Sequence, residues 1–95
     1  MSLRFEWDPK KAETNLAKHD VSFEEAMTVF ANPLARIFPD EEHSIDEARE
    51  IIIGHSVRQQ LILVYFTGTD DQVRIFSARK ATRKERKDYE ENVGS

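Results

Sequence analysis

Three short segments rich in β-branched and aromatic residues, "REIIIGH" (49–55), "QLILVYF" (60–66) and "QVRIFSA" (72–78), are separated by the brief polar links 56–59 and 68–71. Links so short suit hairpins, so these segments are expected to pair as an antiparallel meander. A fourth β-rich run, "LARIF" (34–38), precedes them and is expected in the same meander. The acidic link "PDEEHSIDEA" (39–48) is longer and is expected as a mobile surface loop.

Upstream the periodicity changes. "LRFEW" alternates Leu3, Phe5 and Trp7 with polar residues, which is the period of a half-buried strand. Asp8-Pro9 then starts a helix: Asp8 caps it, and Pro9 sits at the first helical position, where its missing N–H costs nothing. Ala12, Leu16 and His19 form a narrow stripe expected to face inward, while Lys18 and His19 suit the negative end of the helix dipole. Ser22 and Glu25 make an S-x-x-E capping box ahead of Phe23, Ala26, Met27 and Phe30 at helical spacing. Pro33 stops this second helix by disfavouring helical geometry at Asn32.

A last helix begins at Thr82, where Thr82 and Glu85 form another box and Lys84–Asp88, Arg86–Glu90 and Lys87–Glu91 are spaced as ion pairs. Tyr89 is its sole sizeable apolar residue before Val93, so it is expected to be marginal alone and either loosely docked or completed by a partner. The order β-α-α-β-β-β-β-α predicts one α+β domain over residues 1–92, with 93–95 as a tail. Its sheet is mostly antiparallel, with two N-terminal helices packed on one face and a basic C-terminal helix.

The chain has no cysteine, which excludes disulfides and thiolate metal sites and suits a reducing compartment. "MSLRFEWDPKK" lacks the apolar run of a secretory signal and no later run has the length of a membrane span, so a cytoplasmic location without a membrane partner is expected. The net charge of −4 hides an asymmetry: residues 79–87 ("RKATRKERK") carry six basic residues and one acid, a local +5 on a remainder of −9. Such a concentration points to a local anion site, not a general nucleic-acid coat.

Metal and phosphate-loop motifs are missing. His19, His43 and His55 have no zinc-ligand spacing, "DEEH" (40–43) lacks the alternation of a calcium loop, and Gly54, Gly68 and Gly94 are isolated. In a regular strand over 72–78, Arg74, Phe76 and Ala78 share one face and Val73, Ile75 and Ser77 the other. Arg79 then emerges at the strand end, with Arg83, Arg86 and Lys87 on the following helix. The guanidinium groups among them can converge near a helix N-terminus, hold a phosphate and stabilise the charge that develops when an RNA 2′-hydroxyl attacks phosphorus. A solvated helix of alternating charge is the competing reading. His19 is a candidate base or a packing residue, with His55 behind it. Tyr65 and Tyr89 are candidates for stacking on a base, or core. Glu85 reads first as a cap, and Arg49 reaches phosphate or neutralises Asp46 and Glu47.

The stretches "FEWDPKKAETNLAKHDVSFEEAMTVF" (5–30), "DEAREIIIG" (46–54) and "VRIFSARKATRKERKDYE" (73–90) resemble the BrnT family of toxins from bacterial type II toxin–antitoxin pairs. The resemblance covers nearly the whole chain. It implies a fold similar to RelE ribonucleases, metal-independent RNA cleavage that arrests translation, no cofactor, and neutralisation by a small BrnA-like antitoxin. Operator DNA is then contacted only through that antitoxin, in a toxin–antitoxin hetero-oligomer or beside a toxin homodimer. By motif match the catalytic candidates are Arg79, Arg83, Arg74 and His19, and the substrate-binding candidates Lys18, Arg49, Ser77, Arg86 and Tyr89. The family commonly has Gly after Lys-His, at a left-handed helix end, where this chain has Asp20. A non-catalytic nucleic-acid-binding module and a protein-interaction module are the alternatives.

Overall fold

The computed structural model describes residues 3–42 and 48–93. Its elements follow the expected order: β1 (Arg4–Glu6), α1 (Pro9–His19), α2 (Phe23–Thr28) prolonged by a 3₁₀ turn (Val29–Ala31), β2 (Arg36–Pro39), β3 (Glu50–His55), β4 (Leu61–Gly68), β5 (Gln72–Lys80) and α3 (Arg83–Val93). Strands β2 to β5 form the meander, each antiparallel to the next. β1 lies parallel to β5, so the sheet is mixed with the order β1-β5-β4-β3-β2. His43, Asp46 and Glu47, and with them half of the expected acidic loop, fall outside the described residues.

The helix starts obey their local chemistry. Asp8 Oδ1 accepts from Lys10 N–H at 2.8 Å ahead of Pro9, and Ser22 Oγ accepts from Glu25 N–H at 3.0 Å. α1 ends with Asp20 in the left-handed region (φ 57°), its N–H donating to Leu16 O at 2.9 Å, so aspartate takes the conformation that glycine adopts more easily. Glu25 departs from the box: its buried carboxylate accepts from Ser56 Oγ (2.7 Å) and Gln60 Nε2 (2.9 Å), tying α2 to the β3–β4 turn instead of reaching back to its own cap.

The inward stripe of α1 is corrected. Leu16 is 48% exposed, and the buried residue is Asn15. Asn15 Nδ2 donates to Val21 O (3.0 Å) and Ala78 O (2.8 Å), while its Oδ1 accepts from Ala78 N–H (3.1 Å) and Ser77 Oγ (3.2 Å). Those are all the bonds an amide side chain makes. They fix the helix's rotation about its axis against a single Leu, whose burial is worth about 1.5–3 kcal/mol.

The main core lies between the sheet and α1–α2. Val21, Phe23, Ala26 and Val29 pack on Ile52, Ile62, Val64, Phe66, Val73, Ile75 and Ala78, and edge-to-face pairs join Phe5 to Phe30 (5.2 Å) and Phe30 to Phe66 (5.0 Å). The opposite face carries a smaller cluster, Ile51, Ile53, Leu61 and Leu63, against which α3 sets Tyr89, its one buried residue among those described. Among the described residues, none of the three expected ion pairs within α3 closes; exposed pairs of this kind gain too little to order two long side chains.

The alternation expected for β5 is also corrected. Tyr65 pairs with Ser77 but Phe66 with Ile75, so Phe76 is an extra, bulged residue. Beyond it the faces exchange, and Ala78 joins Val73 and Ile75 in the main core instead of lying with Arg74.

Candidate active site

The Asn15 clamp draws α1 along β5 and opens a depression of about 370 Å³ at their seam, lined by Lys10, Lys11, Thr14, Asn15, Lys18, His19, Phe76 and Ser77. Helical spacing explains the gathering: 10, 14 and 18 follow at i, i+4 and i+8, and 11, 15 and 18 at i, i+4 and i+7. Three lysines and a histidine therefore face one hollow, and no carboxylate among the described residues lines it. A cleft lined by one sign of charge concentrates counter-ions. It contains three of the residues selected from sequence, Lys18, His19 and Ser77; the Ser77 hydroxyl proton is committed to Asn15.

Arg79 lies on the other face of the sheet and is held elsewhere. Its Nη1 and Nη2 donate to Glu85 Oε1 and Oε2, both at 2.8 Å, while Glu85 Oε1 also accepts from Thr82 N–H (2.8 Å) and Thr82 Oγ1 accepts from Glu85 N–H (3.1 Å). The capping box is complete, and the anion at the N-terminus of α3 is the chain's own carboxylate. Arg79 holds the Glu85 carboxyl down at about 2, with Thr82 N–H adding to the effect; Glu85 in turn raises the guanidinium, to which Tyr65 contributes. Asp40, Glu41 and Glu42 border the same cleft of about 600 Å³, which makes it acidic.

The remaining candidates are dispersed. Arg74 sits five residues before Arg79, roughly 16 Å away at about 3.3 Å per residue, and pairs with Glu6 at 3.6 Å; the expected convergence of Arg74 with Arg79 and Arg83 is not found. Arg83 and Arg86 are exposed on α3, and neither forms an ion pair among the described residues. Arg49 lies over the Phe76 ring, 4.2 Å from its centre. Tyr89 is a core residue: its hydroxyl donates to Leu34 O (2.9 Å), burial raises its pKa, and His55 packs edge-on against it at 5.8 Å. Among the described residues, no three His, Asp or Glu side chains gather as metal ligands. Among the described residues, no helix is long and apolar enough to cross a membrane.

Residues 7–85 match the family described as ribonuclease toxin, BrnT, of type II toxin-antitoxin system. The chain belongs to the BrnT family. The matched span includes every residue of the seam and reaches Arg79, Arg83 and Glu85, but stops before Arg86 and Tyr89. The chain is also similar to the ribonuclease toxin BrnT of Brucella abortus, known from a 1.1 Å crystal structure, with a TM-score of 0.66 and 26% identity over 86% of this chain and 100% of that one. No curated protein matches it. As a BrnT toxin of a type II system, it has an antitoxin for a partner.

Asn15, Lys10, Lys11 and Phe76 were not selected from the sequence. Lys11 and Lys18, seven residues apart on a helix, carry a readable signal, because two turns return them to one face. Phe76 carries none, because its position depends on the bulge.

Proposed function

We propose that this BrnT toxin is a metal-independent endoribonuclease that arrests translation, and that the seam between α1 and β5 receives the scissile phosphate. The observation that supports it is the meeting of Lys10, Lys11, Lys18 and His19 around one hollow without a carboxylate. The ammonium groups hold the phosphate and stabilise the additional negative charge as the RNA 2′-oxygen bonds to phosphorus and the 5′-oxygen leaves. His19 is the proton-transfer group, taking a proton from the 2′-hydroxyl or supplying one to the departing oxygen. Ser77 acts as a positioning residue through Asn15. Lys80 pairs with Asp20 at 3.7 Å, and Arg83 and Arg86 are exposed cations on α3. Arg79 anchors α3.

The same reading sets the fold among RelE-like ribonucleases, as the resemblance implies. It makes the antitoxin BrnA-like, with operator DNA contacted only through it, and α3, thinly anchored, the element it grips.

The test is to incubate purified protein with RNA in EDTA beside His19→Gln and Arg79→Ala. Cleavage by the parent should persist in EDTA and fall by about 100-fold or more in His19→Gln, with thermal unfolding unchanged. Full activity in His19→Gln, together with its loss in a folded Arg79→Ala, would move the chemistry to the α3 face. Salt-sensitive binding that leaves RNA intact would make the chain a nucleic-acid-binding module.

A further inference from the structure

Phe76 lies on the seam because β5 breaks its register there. Phe66 pairs with Ile75, not Phe76, so the ring has no cross-strand partner, and β1, whose pairing with β5 ends at Arg74, does not cover it. A bulge re-aims a side chain, and this one turns a half-buried ring towards the lysines of α1. Arg49 rests 4.2 Å from its centre, from the segment leading into β3, and the exposed Lys11 ammonium hovers at 5.5 Å. Tyr65 and Tyr89, the aromatics that sequence offered for stacking, belong to the α3 face.

We propose that Phe76 is a stacking platform for one unpaired nucleobase of single-stranded RNA, adjoining the phosphate held by Lys11 and Lys18. The base displaces the Lys11 ammonium from the ring and Lys11 turns to the phosphate; Arg49 stays with the ring. Each base has a π-face, so the platform accepts all four with modest preference, and a base already paired in a duplex cannot reach it. Asn15, with its hydrogen bonds all used inside the fold, reads no base edge. The inference rests on the proposed phosphate site but not on cleavage.

Titration of the full chain with inorganic phosphate, ribose 5-phosphate and adenosine 5′-monophosphate, followed by NMR, tests it. The parent should bind the nucleotide about 5- to 150-fold tighter than ribose 5-phosphate, the span of one base stacked on an aromatic side chain, with its adenine protons shifted upfield by the ring current. Phe76→Leu should erase that preference and leave phosphate binding unchanged; Phe76→Trp should keep it. Equal binding of nucleotide and ribose 5-phosphate by the parent, without upfield shifts, overturns the platform. That result leaves the phosphate site standing if Lys18→Ala still weakens all three ligands. The ring-current shift is read on the parent, so a variant that fails to fold does not decide the outcome.

Discussion

At the scale of single residues, two polar side chains decide how the site is held. Asn15 satisfies three backbone groups and Ser77 with one amide. Asn15→Asp keeps the shape but replaces the Nδ2 donor with an acceptor aimed at two carbonyls. It is expected to cost about 3 kcal/mol in urea unfolding, and to reduce RNA cleavage by loosening α1 at the seam. Glu85 is the second. Its folded pKa of about 2 lies below the ordinary value of 4.5, so the Arg79 pair contributes fully above about pH 5 and its contribution is lost as pH falls through 2. Glu85→Gln should therefore destabilise the protein by about 1 kcal/mol at pH 7. In urea melts the gap to the parent should close as the pH approaches 2. A gap that stays constant to pH 2 would mean that the pair is not what Glu85 contributes.

Among the elements, α3 is the least secured. α2 is embedded by Phe23 and Ala26, and its Glu25 grips the β3–β4 turn. Among its described residues, α3 is held by the buried Tyr89 ring, whose hydroxyl donates to Leu34 O, by one capping box, the Arg79–Glu85 pair and a bond from Arg36 Nη2 to Asn92 O at 3.3 Å. Amides of residues 86–92 are expected to exchange with deuterium well before those of residues 61–64 in β4, because a helix so thinly packed opens without the sheet. Tyr89→Ala should bring α3 close to unprotected exchange while protection in β4 persists. Equal protection of both elements in that variant would show that α3 is held by more than Tyr89. The element boundaries were legible in sequence wherever a cap or a proline wrote them, as at Asp8-Pro9, Ser22, Pro33 and Thr82. They were not legible in how β5 meets β4, since a bulge answers to the partner strand and leaves no mark in "VRIFSA".

For the whole molecule, the two clefts differ in sign. The protein is acidic overall at −4, the α3 cleft gathers Asp40, Glu41, Glu42 and Glu85, and the lysines of α1 keep the seam cationic. RNA binding by an acidic protein through so few cations should be weak and salt-sensitive. Between 50 and 200 mM salt, affinity measured by fluorescence anisotropy should fall, and Lys18→Ala should reduce the slope of log K against log salt by about 1. An unchanged slope would remove Lys18 from the phosphate contacts. The sequence by itself determined the elements, their order, the antiparallel meander and the family, because hydrophobic period, caps and short links act over a few residues. It also marked Lys18, His19 and Ser77, though not their partners. Only the tertiary structure decided that Asn15 and not Leu16 faces inward, that Arg79 is bound to Glu85, and that Phe76 meets Lys11 across the seam. Those outcomes depend on groups brought together from 6 to 65 positions apart in the sequence, and local spacing carries no term for such encounters.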